Sequence, residues 1–228
     1  MPELSPRMKM AASLARKGKI CCDIGTDHAY LPAKLVLENI SIRALACDLR
    51  KGPLSNAAKT VEEYGISDKI QLRLSDGLDS VLPDEADDIF FCGMGGTLIT
   101  ELISRTEWLK NEKYRLIFQP QSHCEDIREY LVNNGFEIYG DRTCLDAGKL
   151  YCAFYAEYTG KNTAVSSAYL YVGNIPECKD AHSEEYTLAV IKRLKTKADA
   201  LLLHGDKDES RRLYEAIDEI KEKLYGKG

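Results

Sequence analysis

The run Cys22-Asp23-Ile24-Gly25-Thr26-Asp27-His28-Ala29-Tyr30-Leu31-Pro32 constrains this chain more than any other. The residues before it, Lys19-Ile20-Cys21-Cys22, are compact and β-favouring. Gly25 ends that strand, and a helix is expected from about Ala29. Strand, tight turn and helix in this order place a ligand at the carboxyl edge of an open α/β sheet. A pyrophosphate there needs a neutral, glycine-rich turn with its amides toward the anion. This turn has one glycine and two acids, Asp23 and Asp27, which repel phosphate and attract a cation. S-adenosylmethionine (SAM) carries an ammonium and a sulfonium and no phosphate, so the charge favours it over a nicotinamide dinucleotide. The plainer role for Asp27 is as N-cap of the following helix.

Further strands end in acids at intervals of about one β-α unit. Residues 42–47 read as a second strand closing on Asp48, placed to accept hydrogen bonds from a ribose diol. A helix follows from Gly52-Pro53. Residues 69–74 read as a third strand running into Ser75-Asp76-Gly77-Leu78, where a carboxylate can take an adenine amino group and Gly77 lets the backbone approach the ring. Asp23, Asp48 and Asp76 thus form a row along one rim. A fourth strand over 87–92 enters Gly93-Met94-Gly95-Gly96, a turn bare enough for a flat group to meet backbone carbonyls. A fifth strand over 114–120 is followed by a helix to about Asn134 and a final strand pair, 136–145 and 150–158. The expected fold is a doubly wound, seven-stranded Rossmann-like sheet over residues 1–159, its last two strands a hairpin.

The tail, 160–228, differs in character. Residues 161–180 read as irregular. Leu188, Ile191, Ala198 and Leu202 then fall at helical spacing, and Leu213, Ile217, Ile220 and Leu224 repeat as a short heptad seam. An antiparallel, coiled-coil-like helical hairpin is expected, turning at His204-Gly205-Asp206. Lys192, Arg193, Lys195, Lys197, Arg211 and Arg212 decorate it, and Arg7 and Lys9 lie on an N-terminal helix that Ser5 and Pro6 begin. These clusters are either RNA-facing patches or solvated helix faces. From Gly160 on, 12 basic residues balance 12 acidic ones, so the whole net charge of −5 belongs to the N-terminal part. Any RNA must therefore be met by local patches rather than by a global basic field.

No apolar run approaches the ~20 residues of a membrane helix. The start has no apolar signal segment, so a cytoplasmic, membrane-free protein is expected. None of the eight cysteines forms a Cys-x-x-Cys pair or has zinc spacing, so no metal is expected. Cys21, Cys22, Cys47, Cys92 and Cys152 read as small buried hydrophobes.

The stretches 23–32, 52–54, 75–78 and Gly93-Met94-Gly95-Gly96, with Gln119-Pro120 and Gly148-Lys149-Leu150-Tyr151 in place, resemble the bacterial tRNA (adenine-N1)-methyltransferases of the TrmK type. The resemblance implies a SAM-dependent enzyme, working as a monomer on tRNA, that methylates N1 of the adenine at position 22. It places the cofactor against Asp23, Gly25, Thr26, Asp27, Asp48, Asp76, Gly77, Gly93 and Gly95. N1 of neutral adenine already has a free lone pair, so positioning, not strong base catalysis, is the task. The base must be met unpaired or turned outward. Carbonyls near Gly93 and Met94 are expected to accept the 6-amino protons. Asp27, His28 and Tyr30 are the candidates to take up a proton or stack, and the sequence does not choose among them. A small-molecule methyltransferase and a non-catalytic SAM- or RNA-binding adaptor are the competing readings.

Overall fold

A computed structural model describes residues 1–226. The chain runs α1 (Pro6–Ala12), β1 (Lys19–Ile24), α2 (Tyr30–Leu37), β2 (Ser41–Asp48), α3 (Lys51–Glu63), β3 (Ile70–Leu74), β4 (Asp88–Cys92), α4 (Gly96–Ser104), β5 (Arg115–Gln119), α5 (Cys124–Asn133), β6 (Phe136–Asp146), β7 (Lys149–Tyr158), α6 (Ser167–Val172), α7 (Ser183–Leu203) and α8 (Lys207–Tyr225). The seven strands form one sheet in the order β3-β2-β1-β4-β5-β7-β6. The first five are parallel, and β7 is antiparallel to both its neighbours. Chain direction across the sheet reverses between β1 and β4. That switch point opens a crevice at the carboxyl ends of these strands.

Adjacent residues on the central strands point to opposite faces and both are buried. Cys21 and Phe90 pack with α1, α2 and α3 on one side, and Cys22 and Phe91 pack with α4 and α5 on the other. The N-terminal segment is fastened at two ends of the sheet. At the amino end, Arg16 gives its backbone N–H (2.6 Å) and Nε (2.7 Å) to Asp88, the first residue of β4. At the carboxyl end, Arg7 Nη1 donates to Gln119 Oε1 (3.1 Å), on the last residue of β5. Helix α1 therefore lies along the sheet, with Arg7 over the crevice. It is shorter than the charge pattern of 3–17 suggests.

The tail corrects two expectations. Residues 161–180 are not wholly irregular: α6 begins where the Ser166 hydroxyl accepts the Tyr169 N–H, and Ala168 and Val172 enter the core of the tail. The seam of α7 is Thr187, Val190, Leu194 and Ala198, whereas Leu188 and Leu202 are exposed. The helix has to meet α6 and α8 together, and that selects a face different from the one its leucines mark. On α8, Leu213, Ile217 and Ile220 are buried as the heptad predicts.

The tail is held to the sheet by a buried ion pair. Arg128 of α5, wholly buried, donates to Asp141 of β6, whose other oxygen accepts the Asn174 N–H (2.9 Å). The guanidinium also lies over the Phe154 ring, 4.1 Å from its centroid. Removing one partner of such a pair leaves an uncompensated charge in the interior. Asp141→Asn is expected to cost about 3 kcal/mol in urea unfolding, and the Arg128→Met/Asp141→Leu double variant less than that.

Candidate active site

The crevice at the switch point is a cleft of about 420 Å³. Its walls come from the first turn, with Asp23, Gly25, Thr26, Asp27, His28 and Tyr30, from Gly93, and from Arg7 and Met8 of α1 with Gln121 beyond β5. The two predicted turns touch each other: a Cβ on Gly25 would lie 3.2 Å from the Met94 sulfur. Thus β1 and β4, neighbours in the sheet, bring together residues about 70 apart in sequence.

Asp23 departs from expectation in its place. It belongs to β1 rather than to the turn and is 5% exposed. Period-two alternation from Cys21 aims it to the α1 face. Burial pushes its carboxyl up to about 7, against a Thr26 hydrogen bond that pulls it down and with the Asp48 charge adding to the rise. Among the described residues no basic side chain forms an ion pair with it. A carboxylate in such surroundings favours an arriving cation.

Thr26 sets the turn. Its N–H and that of Gly25 both reach the Cys47 carbonyl at 2.9 Å, and its hydroxyl accepts the Ala29 N–H at 3.2 Å. Ala29 is buried with φ 53°, a strained conformation for a residue with a Cβ. That kink lays the His28 and Tyr30 rings parallel, 5.1 Å apart and 9° from coplanar, both half-exposed along the cleft. Asp27 is largely exposed and approaches His28 Nε2 at 3.4 Å. It does not cap α2, whose N-cap is Ala29.

Asp48 and Asp76 continue the rim along β2 and β3 but do not line the cleft. Asp48 is buried and accepts the Arg50 N–H at 2.7 Å. Asp76 is half-exposed and held by Arg105, the residue that follows α4, at 2.8 Å, an ion pair invisible in the sequence. Gly77 packs on Leu102: a Cβ there would come within 2.6 Å of it. Gly95 is the N-cap of α4 and bridges to Ser122. The Met94 carbonyl already accepts the Gln121 N–H (2.9 Å). Among the described residues no backbone N–H outside the regular elements reaches the Gly93 carbonyl.

Arg7, expected in an RNA patch, faces the bare α-carbon of Gly93, with Asp146 at 3.5 Å from its Nε and the Tyr151 ring beneath it. Gln121 and Asp146 had no sequence signal; long-range register alone brings them in. The other basic residues do not form one patch. Arg193 pairs with Glu125, Lys195 with Asp199, Arg211 with Asp208, Arg212 with Glu209 and Lys9 with Glu3. Arg193 and Lys197 face a groove beside α5, while Lys192 is exposed elsewhere on α7. Among the described residues no cluster of three potential ligands could hold a metal, and no helix is long and apolar enough to cross a membrane.

The carboxyl of Asp23 makes the cleft pH-sensitive. An unfolded aspartate loses its proton near pH 4 and the folded Asp23 near 7, so the native state binds the extra proton between them. Stability of the ligand-free protein therefore falls as pH rises through that window. Asp23→Asn is expected to stabilise the ligand-free protein at pH 8 by on the order of 2 kcal/mol, with the gain gone by pH 4. Calorimetric SAM titrations of the unsubstituted protein should show affinity rising by up to about tenfold from pH 6 to 8, with that dependence absent in the variant.

A family described as "Methyltransferase domain" matches residues 4–154. The tRNA (adenine(22)-N(1))-methyltransferase of Bacillus subtilis (strain 168) is 34% identical over 171 residues, 75% of this chain and 72% of its own length. The crystal structure of the B. subtilis M1A22 tRNA methyltransferase TrmK is similar with a TM-score of 0.84 at 29% identity, over 98% of this chain and 100% of that one. Streptococcus pneumoniae Sp1610 in complex with S-adenosyl-L-methionine gives 0.78 at 31% identity, over 98% and 100%. The sheet order, the cleft at its switch point and relatives matched over most of their length agree: this chain belongs to the family of tRNA (adenine(22)-N(1))-methyltransferases.

Proposed function

We propose that this chain methylates N1 of an adenine in tRNA, at the counterpart of position 22, from SAM held in the cleft beneath α1. The observation that carries the reading is the buried Asp23 carboxylate, without an ion-pair partner among the described residues, on a cleft that the bare Gly93 turn also lines. The residues fit the cofactor's charges. Asp23 suits its ammonium. Arg7, the cation of the cleft lining, suits its carboxylate. Asp48 at the end of β2 suits the ribose hydroxyls, and Asp76 with Gly77 the adenine. When bound, SAM supplies a methyl group made electrophilic by a sulfonium.

The protein's own part is to position and to balance charge. The parallel His28 and Tyr30 rings offer a platform on which an unpaired base can stack, an interaction on the order of 1–3 kcal/mol per base. Among the described residues the Gly93 carbonyl takes no backbone N–H from outside the regular elements, which leaves it as the acceptor for a 6-amino proton of the target. N1-methylated adenine is cationic, so an acceptor there stabilises the charge as it develops. Asp27 and His28, exposed together at the mouth, can pass a proton to water.

Residues 160–228 are proposed as the tRNA-docking unit, the last two lying outside the described residues. Its exposed Lys192, Lys195, Arg211 and Arg212 supply phosphate contacts, and Arg193 and Lys197 line a groove beside α5.

Labelled SAM with unmodified tRNA transcript is expected to give label at N1 of one adenine; no transfer to any tRNA would end the reading. Tyr30→Ala should lower kcat/KM for tRNA about tenfold with SAM affinity unchanged. Lys192→Ala with Arg212→Ala should weaken tRNA binding and reduce its salt slope by about 2, SAM binding again unchanged.

A further inference from the structure

Cys124 and Cys152 are not inert core thiols. Cys124 is the first residue of α5 and Cys152 lies on β7, 28 positions later, with sulfurs 3.8 Å apart and nothing between them. Both border a groove of about 160 Å³, open to solvent, between the sheet and α7. They are 6% and 3% exposed, enough for a small oxidant and too little for a bulky one. The helix N-terminus favours an anion at Cys124. Arg128, one turn on, is wholly buried, and its Nε and Nη1 have no partner. The hydrogen bond from Cys152 holds the Cys124 thiol down, and the Arg128 charge adds to this. Tyr186 of α7 donates to the Cys152 sulfur at 3.1 Å, so the thiol pair also fastens α7.

The same segment supports the acceptor turn. Gln121 N–H donates to the Met94 carbonyl (2.9 Å) and Gly96 N–H to the Ser122 carbonyl (2.8 Å). A Cβ on Gly96 would fall 1.9 Å from the His123 carbonyl oxygen, so the two backbones are in direct contact. His123 itself is held at φ 51°. Any pull on Cys124 therefore reaches Gly93–Gly96.

We propose that Cys124 and Cys152 are an oxidation-sensitive dithiol whose disulfide, formed by a hydroperoxide, lowers methyl transfer to tRNA. The Cys124 thiolate attacks a peroxide oxygen and breaks the O–O bond, giving a sulfenic acid and hydroxide, which becomes water by taking a proton. The Cys152 sulfur then attacks the sulfenic sulfur; the S–S bond forms and the sulfenic oxygen leaves as a second water, carrying the Cys152 proton. Two thiols and one hydrogen peroxide give one disulfide and two waters. The sulfurs close from 3.8 Å to about 2 Å. Arg128 is left with Asp141 alone as its anion, Tyr186 loses its thiol acceptor, and the acceptor turn moves. A displacement on the order of 1 Å at such a site costs up to about 100-fold in rate.

Cys22 and Cys47, 3.9 Å apart, are an internal control: both are wholly buried in the core. The full chain would be treated with hydrogen peroxide, its remaining thiols alkylated under denaturation, and its peptides weighed. A reversible Cys124–Cys152 cross-link is expected, with Cys22 and Cys47 still alkylated. The rate of tRNA methylation should fall at least tenfold and return with dithiothreitol, SAM affinity staying within about twofold. Cys152→Ala, or Cys152→Ser if alanine fails to fold, should keep the reduced rate and trap a dimedone-reactive sulfenic acid at Cys124 without a cross-link. Free Cys124 and Cys152 after peroxide, equal cross-linking of Cys22 with Cys47, or a cross-link that leaves the rate unchanged would each overturn the proposal. The cross-link is read by mass alone, so its absence is distinct from a failure of the tRNA reading, on which only the rate depends.

Discussion

Asp23 is held inside the protein at the point where chain direction across the sheet reverses, beside a second carboxylate and without a basic partner among the described residues. Burial of that kind is unfavourable for the protein alone. It is tolerated because the surrounding structure over-determines it. The strand fixes its backbone, Thr26 bonds its side chain, and the Thr26 and Gly25 amides are tied to the Cys47 carbonyl. The cost is recovered when a cation arrives, so the same desolvation that weakens the empty site strengthens the filled one. The path of α1 over this carboxylate is set by two arginines, Arg16 at one end of the sheet and Arg7 at the other.

Much of the fold was legible because the relevant signals are local. Short β-favouring runs mark the parallel strands, four of them closed by an acid or a glycine and the fifth by Gln119-Pro120, and Asp48 and Asp76 stand at the rim where their spacing put them. Asp23 was legible as a site residue but not as a buried one. Hydropathy ends the strand at Cys22, whereas hydrogen bonding to β2 and β4 carries it on to Ile24. The place of Arg7 was hidden for a similar reason. On a helical wheel it belongs to a basic face, and only the sheet beneath α1 shows that this face meets Gln119, Gly93 and Asp146. Arg105 on Asp76 and Arg128 on Asp141 are pairs of distant residues, and no periodicity foretells them.

The tail shows the limit of the heptad as a guide. On α8 one neighbour dominates and the predicted face is buried. On α7 the core of the tail, the groove over β7 and solvent share the helix surface, so a threonine and two exposed leucines exchange the places that hydropathy assigns. The basic residues follow this rotation. Lys195, Arg211 and Arg212 are drawn into ion pairs one helical turn away, each exposed and worth little on its own. A polyanion can displace such partners at small cost, so a neutral tail is compatible with the proposed docking of tRNA.

The two walls of the cleft treat the same positive charge at different moments. Before reaction a cation belongs on the Asp23 side, where buried carboxylates favour it. In the proposed reading the charge belongs to the base once N1 is alkylated, on the Gly93 side, where the guanidinium of Arg7 also lies. Asp146, on the far side of Arg7 at 3.5 Å, offsets that guanidinium and reduces its repulsion of a cationic product. In the proposed reading the acid rim governs binding, and the glycine turn, backed by the segment from Gln121 to Cys124, governs how well the acceptor meets the methyl group. The first is an electrostatic property that survives small movements; the second is a matter of tenths of an ångström. The molecule accordingly keeps its acids on strand ends and its acceptor turn backed by a rigid loop.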